Sequence, residues 1–359
     1  MVGLKIASIF HDFFMLTLLK MKKMLVLGTC LISLSTFGQS KPLVSHMFTA
    51  DPSAHLFAGQ LYIYPSHDID AGVKEDELGS HFAMRDYHVL SQKTPSSPVI
   101  DHGIALKLED IPWASKMLWA PDAAFSKGKY YLYFPAKDQA GIFRIGVASA
   151  LKPEGPFKAE KDFIKGTYSI DPCVFKDADG THYMYFGGIW GGQLQRWKSG
   201  QYDEKDESQP AKGQAALMPK IARLDASMKQ LAEAPRNVQI VDAAGKLLLS
   251  EDHDRRFFEA AFMHVYQGTY YFSYSTGDTH NIAYATGKSP YGPFTYQGVL
   301  LKPVKGWTNH HSIVEQNGKW YVYYHDVEIS GKTHLRNIKV AELKYRADGS
   351  IVALEPYEN

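Results

Sequence analysis

The stretch SIDPCVFKDADGTHYMYFGG, from Ser169 to Gly188, decides the fold. It opens with an acid followed by proline, passes through a short apolar run into a tight polar turn, and leaves in alternating aromatics. Alternation on either side of an Asp/Gly turn reads as a β-hairpin. The same build recurs as ADPSAHLFAGQLYIY from Ala50, WAPDAAFSKGKYYLYF from Trp119, FEAAFMHVYQGTYYFSY from Phe258 and NHHSIVEQNGKWYVYY from Asn309. Counting from Asp51, Ala120, Asp171, Glu259 and His310, a turn glycine follows eight or nine residues later, at Gly59, Gly128, Gly180, Gly268 and Gly318.

Each hairpin is followed by a third strand-like run. FRIGVASALKPEGPF (Phe143 to Phe157) and HNIAYATGKSPYGPF (His280 to Phe294) are near duplicates. FAMRDYHVLSQ, PKIARLDA and HLRNIKVAEL fill the same slot in the other units. Helical periodicity is scarce, and the units average about 65 residues, room for four short strands and their loops. The expectation is an all-β chain: one five-bladed β-propeller over residues 40–359, with its site at the central cavity. The polar run Lys198 to Gln214 reads as a surface insertion in the third unit.

Composition narrows the function. Across 359 residues, 39 Lys and Arg nearly balance 38 Asp and Glu, so no basic footprint points to nucleic acid. The 22 Tyr, 19 Phe and 6 Trp favour strands and, in a cleft, stacking on sugar rings. Residues 1–39 read as an N-terminal extension plus a secretory leader. From Met21 as the expected start, two lysines precede an apolar run, with Thr36 and Gly38 before a cleavage site at Gln39. The expected location is therefore periplasmic or secreted. Lys20, Lys22 and Lys23 interrupt the apolar runs, against lasting membrane insertion. Cys30 lies in the leader, so Cys173 is the one mature cysteine and no disulfide is expected.

If each unit is a blade and its first strand is innermost, Asp51, Ala120, Asp171, Glu259 and His310 occupy equivalent places around one cavity. The scaffold recurs while the residue at this place changes, which structural need alone does not explain. Carboxylates facing each other across a cavity suit glycosidic bond cleavage, one protonated for the leaving group and one ionised on the opposite face. A third carboxylate can raise the acid's pKa. His67 and Asp68, Trp119 and Trp190, and Arg336 are candidates for binding the sugar. Asp122 falls out of register and reads as a loop-stabilising residue.

On ADPS at Asp51, WAPD at Trp119 to Asp122, SIDP at Asp171, FFEAA at Glu259 and NHHS at His310, the chain resembles glycoside hydrolase family 43. The resemblance covers essentially all of the mature chain. It implies an inverting five-bladed propeller acting on β-xylosides or α-L-arabinofuranosides, with Asp51 as general base, Asp171 as pKa modulator and Glu259 as general acid. It also implies that His310 stands at the propeller axis, near a calcium ion or water. A single His is an unusual calcium site, because calcium prefers several oxygens, and no cofactor is required for the chemistry. Many members have Glu-Gly-Pro where this chain has Glu259-Ala260-Ala261, which questions the backbone beside the acid.

The expected activity is exo-acting release of pentoses from xylo- or arabino-oligosaccharides, foremost as a β-1,4-xylosidase. The alternatives are α-L-arabinofuranosidase or endo-arabinanase and, in another class, a non-catalytic carbohydrate-binding propeller. Retaining invertase-like propellers are disfavoured, since Ala50-Asp51-Pro52-Ser53 replaces their Asn-Asp-Pro-Asn-Gly opening. Specificity is expected from the loops Ser66 to Gly79 and Lys198 to Gln214.

Overall fold

The computed structural model describes residues 36–37 and 41–357. The expected leader falls almost wholly outside them; of residues 1–39 only Thr36–Phe37 is described, running parallel to Leu354–Glu355. Five sheets, whose blade strands pair antiparallel, form a β-propeller. Blade I comprises Phe48–Phe57, Gln60–Asp68, Asp86–Gln92 and Ile100–Lys107. Blade II comprises Asp122–Ser126, Lys129–Asp138, Phe143–Ala150 and Lys158–Ala159. Blade III comprises Cys173–Lys176, His182–Phe186, Lys220–Arg223 and Arg236–Asn237. Blade IV comprises Glu259–Tyr266, Thr269–Ser275, Ile282–Gly287 and Phe294–Leu301.

Blade V departs from four strands, having His311–Gln316, Lys319–Asp326 and Asn337–Leu343. The stretch leading into blade I runs beside it instead: the Leu43 and Thr49 N–H groups donate to the Ile338 and Arg336 carbonyls at 2.7 and 2.8 Å. Behind these bonds Val44, Leu61 and Ile63 pack with Val314, Tyr323, Ile338 and Val340, which closes the ring. The inner strands touch in the order I, II, III, IV, V and back to I. Among the described residues no helix is long and apolar enough to cross a membrane.

The hairpin turns follow the repeat. At Ala58-Gly59, Lys127-Gly128, Gln267-Gly268 and Asn317-Gly318 both residues have positive φ. That geometry matches the twist of the flanking strands and calls for glycine at the second place. In blade III the loop is one residue longer; the Asp177 and Thr181 backbones pair, and only Gly180 is left-handed.

One repeat position stitches each blade to the next. Five residues after the turn glycine, the hydroxyls of Tyr64, Tyr133 and Tyr185 donate to Pro153, Met228 and Pro290 carbonyls of the following blade, at 2.8, 2.9 and 2.6 Å. In blade IV that position is Ser273, paired with His311 at 2.6 Å. In blade V it is Tyr323, whose hydroxyl accepts from Gln92 of blade I at 2.7 Å. Large rings are thereby buried without stranding their hydroxyls. Asp122 adds a link at the inner strands. It is buried at the start of the inner strand of blade II rather than in a loop, and accepts from Ser53 and His55 of blade I and from the Val174 N–H of blade III.

Candidate active site

The acids stand where the inner strands enter the cavity, and the backbone there is irregular for a reason. In blade I the ladder pairs Ala50 with Ser66 and then Ser53 with Tyr64, so one extra residue is accommodated; in blade IV Glu259 pairs with Ser275 and then Phe262 with Ser273. Such a bulge re-aims side chains at the end of a strand. Asp51 sits in the blade I bulge with a left-handed φ of 48°, and Asp171, two residues ahead of the blade III strand, shares that conformation at 55°, but in blade IV the residue matching Asp51 is Ala260, with φ 59°. The five places are therefore not strictly equivalent. Glu259 stands one residue ahead, in register with Ala50. The Glu-Ala-Ala departure keeps the conformation that a glycine would favour, and the Ala260 N–H donates to Asp171 Oδ2 at 2.8 Å.

Asp51, Asp171, Glu259, His310 and Arg336 line one pocket of about 510 Å³, open mouth included. Asp51 Oδ1 accepts from Arg336 at 2.9 Å and Oδ2 from the Ser66 hydroxyl at 2.7 Å. Its N–H donates to His325 Nδ1 at 3.0 Å. Burial would lift the Asp51 carboxyl, but the Arg336 guanidinium, with His325, His310 and Ser66, holds it at about 2. Asp171 goes the other way. Burial, with the Asp51 charge, lifts it to about 6 against the pull of His310 and the Ala260 N–H. Glu259 keeps some surface open to the pocket yet is walled in by protein; burial first, then the Asp171 and Asp51 charges, raise its carboxyl well above the usual range. One pocket thus holds an ionised acid and a protonated one.

Arg336 is buried, not paired at the surface. Its fork grips Asp68 through two bonds of 2.8 Å and its own N–H makes a third, while burial pushes the Asp68 carboxyl upward. Asp68, fully buried and not lining the pocket, consequently orients Arg336 from behind, so the expectation that it binds sugar hydroxyls is corrected. His67, the neighbouring residue, points to the other face of the strand, as pleating requires. It binds Asp86 at 2.7 Å and does not line the pocket, so the expectation of a sugar contact there is corrected.

Trp119 does line the pocket. Its ring packs against Phe143 and its N–H donates to the Phe82 carbonyl at 2.8 Å. Trp190 does not, and that expectation is corrected too: half-buried, it lies near parallel to Trp307 with ring centres 6.0 Å apart. The exposed aromatic at the mouth is Trp307. Glu77 and Gly79 reach the wall from the Ser66 to Gly79 loop, whereas no residue of Lys198 to Gln214 does.

His310 Nδ1 lies 3.8 Å from both Asp51 Oδ1 and Asp171 Oδ2. With those carboxylates committed to Arg336, Ser66 and the Ala260 N–H, the protein offers calcium one ring nitrogen and no oxygen cage. The donor set does not fit a protein-bound calcium ion, which takes six to eight oxygens.

Ser66, His325 and Trp307 were not among the sequence candidates. The second strands of blades I and V end in Ser66-His67-Asp68 and His325-Asp326, polar endings to aromatic runs, and that was the available signal.

The family model described as glycosyl hydrolases family 43 matches residues 40–351. Xylosidase/arabinosidase 43A of Humicola insolens is 56% identical over 88% of this chain and 99% of its own length. The xylosidase/arabinosidase of Bacteroides ovatus is 54% identical over 88% and 98%. Among solved structures, a family 43 β-xylosidase/α-arabinofuranosidase from a compost microbial metagenome, in a calcium-free form with xylotriose, superposes with a TM-score of 0.88. It shares 60% identity over 90% of this chain and 100% of that one.

Proposed function

The chain belongs to glycosyl hydrolases family 43 and is a glycoside hydrolase, and from that premise we propose an exo-acting, inverting enzyme that releases pentoses from hemicellulose oligosaccharides, foremost a β-1,4-xylosidase. The observation that carries this reading is the opposite ionisation of Asp51 and Glu259 in one pocket. Asp51 takes a proton from the water that attacks the anomeric carbon. Glu259 gives its proton to the departing oxygen, and Asp171 keeps that proton in place by its charge. Inversion requires the two carboxyls to stand about 6.5–9.5 Å apart so that water fits between base and sugar. Trp119 and Trp307, which line the pocket, are the aromatics proposed to stack on the sugar rings.

The leader's layout supports export, so the substrate is met outside the cytoplasm. No step passes through a metal; His310 stands at the axis beside Asp51 and Asp171.

A second reading, α-L-arabinofuranosidase, is favoured because relatives at 56% and 54% identity carry both activities in their names. Initial rates on aryl β-D-xylopyranoside and aryl α-L-arabinofuranoside separate the two. The proposal expects the xyloside to be preferred, xylotriose to lose single xyloses, and the first product seen by NMR to be the α-anomer. Release of β-xylose would overturn inversion, and internal cleavage of longer chains would overturn exo action.

A further inference from the structure

Blade I is split where it approaches the mouth. Its second and third strands pair at Leu61 with Gln92, Tyr62 with Ser91 and Ile63 with Leu90, and the ladder stops there. The second strand continues to Asp68 along the first alone, and the third starts at Asp86 along the fourth alone. Pro65, which has no N–H to offer, would stand opposite His88 if the register continued. In that register His67 falls opposite Asp86 and diagonal to His88, the neighbours that share one face of a sheet.

Three side chains meet in this gap. His67 Nδ1 is 2.7 Å from Asp86 Oδ1, and His88 Nε2 is 3.9 Å from the same oxygen. One nitrogen or oxygen from each residue lies within 4.8 Å of the others. The second nitrogen of His88 is already committed, because its Nδ1–H donates to Asp101 Oδ1 at 2.9 Å, and Asp101 also accepts from Gly103 N–H and pairs with His46 at 2.8 Å. A carboxylate behind a histidine fixes its tautomer and aims the free lone pair, as in metal sites. Here Nε2 is left without a hydrogen, 3.9 Å from Asp86 Oδ1.

We propose that His67, Asp86 and His88 form a site for a divalent transition-metal ion of the zinc type. Two imidazoles and a carboxylate make a borderline N/O donor set, which suits zinc, cobalt or nickel better than calcium or magnesium. Three ligands leave a fourth, tetrahedral position for water. Tetrahedral zinc needs donors ~3.3 Å apart at bond lengths of about 2.0–2.1 Å. Drawing the ends of the two strands together by roughly an ångström, where no ladder holds them, meets that need. His67 exchanges its hydrogen bond to Asp86 for the metal bond, the Nδ1 proton of the neutral ring passing by way of solvent to Nε2.

The ion would clamp the roots of the loop between Asp68 and Asp86, which carries Glu77, Phe82 and Met84 into the pocket wall. It is distinct from the axis, where His310 stands.

The test is equilibrium dialysis of the full chain against micromolar ZnCl2, for the native protein and for His310→Ala, His88→Gln and the double variant. The proposal expects His310→Ala to retain one zinc per chain and the double variant to retain none. Thermal midpoints should rise with zinc only in proteins that keep His88, by ligand linkage. Cobalt loaded into His310→Ala should show the visible band of a four-coordinate ion, a readout that does not depend on a second variant folding. Absence of stoichiometric zinc in His310→Ala, or binding that survives His88→Gln in that background, would overturn it and leave the cluster a hydrogen-bonded relay.

Discussion

Asp51 and Glu259 are both enclosed carboxyls on the inner edge of the propeller, and burial alone would leave both protonated. What separates them is Arg336, which touches Asp51 and not Glu259, and Asp171, whose charge weighs on Glu259. Asp171 and Glu259 titrate as a pair, so replacing one moves the other. Removing the Asp171 charge lowers the pKa of Glu259, and the proton is lost at lower pH. In Asp171→Asn the alkaline limb of the kcat/KM profile should therefore move toward acid; a limb that stays or moves up would contradict this wiring. Glu259→Gln removes the proton donor itself, with a loss of about 10²–10⁴ on xylobiose. A leaving group as acidic as dinitrophenol needs no proton, so this variant should lose far less on the dinitrophenyl glycoside. Equal losses on both substrates would take the acid's role away from Glu259.

At the scale of the strand, the bulges decide where these acids point. Ala260 holds a left-handed φ that costs an L-residue about 1–2 kcal/mol, and its N–H is spent on Asp171. Ala260→Gly should keep kcat/KM within about threefold and match or exceed native stability, because glycine adopts this φ freely. Ala260→Val should cost at least about 2 kcal/mol in denaturant unfolding and lower kcat, since a β-branched residue resists this φ. Comparable behaviour of the two variants would mean that the bulge does not constrain the acid. The hairpins, their turn glycines and the third strands were legible because each repeats. Asp51, Asp171 and Glu259 were legible because they vary within that repeat. The one-residue offset of Glu259 was not, since it appears only when ladder pairs are counted through the bulge. His67 and Asp68 were read together, although adjacent strand residues face opposite ways and only Asp68 reaches Arg336, from behind the site. Trp307 lies in a loop between Leu301 and His311, outside any period.

For the whole molecule, one position per blade carries the stitch to the next, and buried neutral histidines underlie its response to acid. Tyr185→Phe strands the Pro290 carbonyl and should cost about 1–3 kcal/mol, with kcat unchanged because the link lies away from the pocket. Burial holds His264 and His325 at about 3, and His311 well below its ordinary 6.5. Between pH 6.5 and about 3 the unfolded chain binds protons at these three residues and the fold does not, so stability falls as pH falls. Asp171 and Glu259 act in the opposite sense. Raised in the fold, they take up protons before the unfolded chain does, and contribute stability as pH drops through about 6 toward 4. The lowered histidines, which include His81 and His182 as well, outnumber the raised acids, so unfolding takes up protons and stability declines between pH 6 and 4.5. Urea midpoints across that window should show this decline. His264→Gln, which keeps a partner for the Tyr345 hydroxyl, should flatten it, and Asp171→Asn should steepen it by removing an opposing group. A native stability that is level from pH 6 to 4.5 would mean that these histidines take up protons without unfolding, and that the bond from the Asp51 N–H to His325 is not held by a neutral ring.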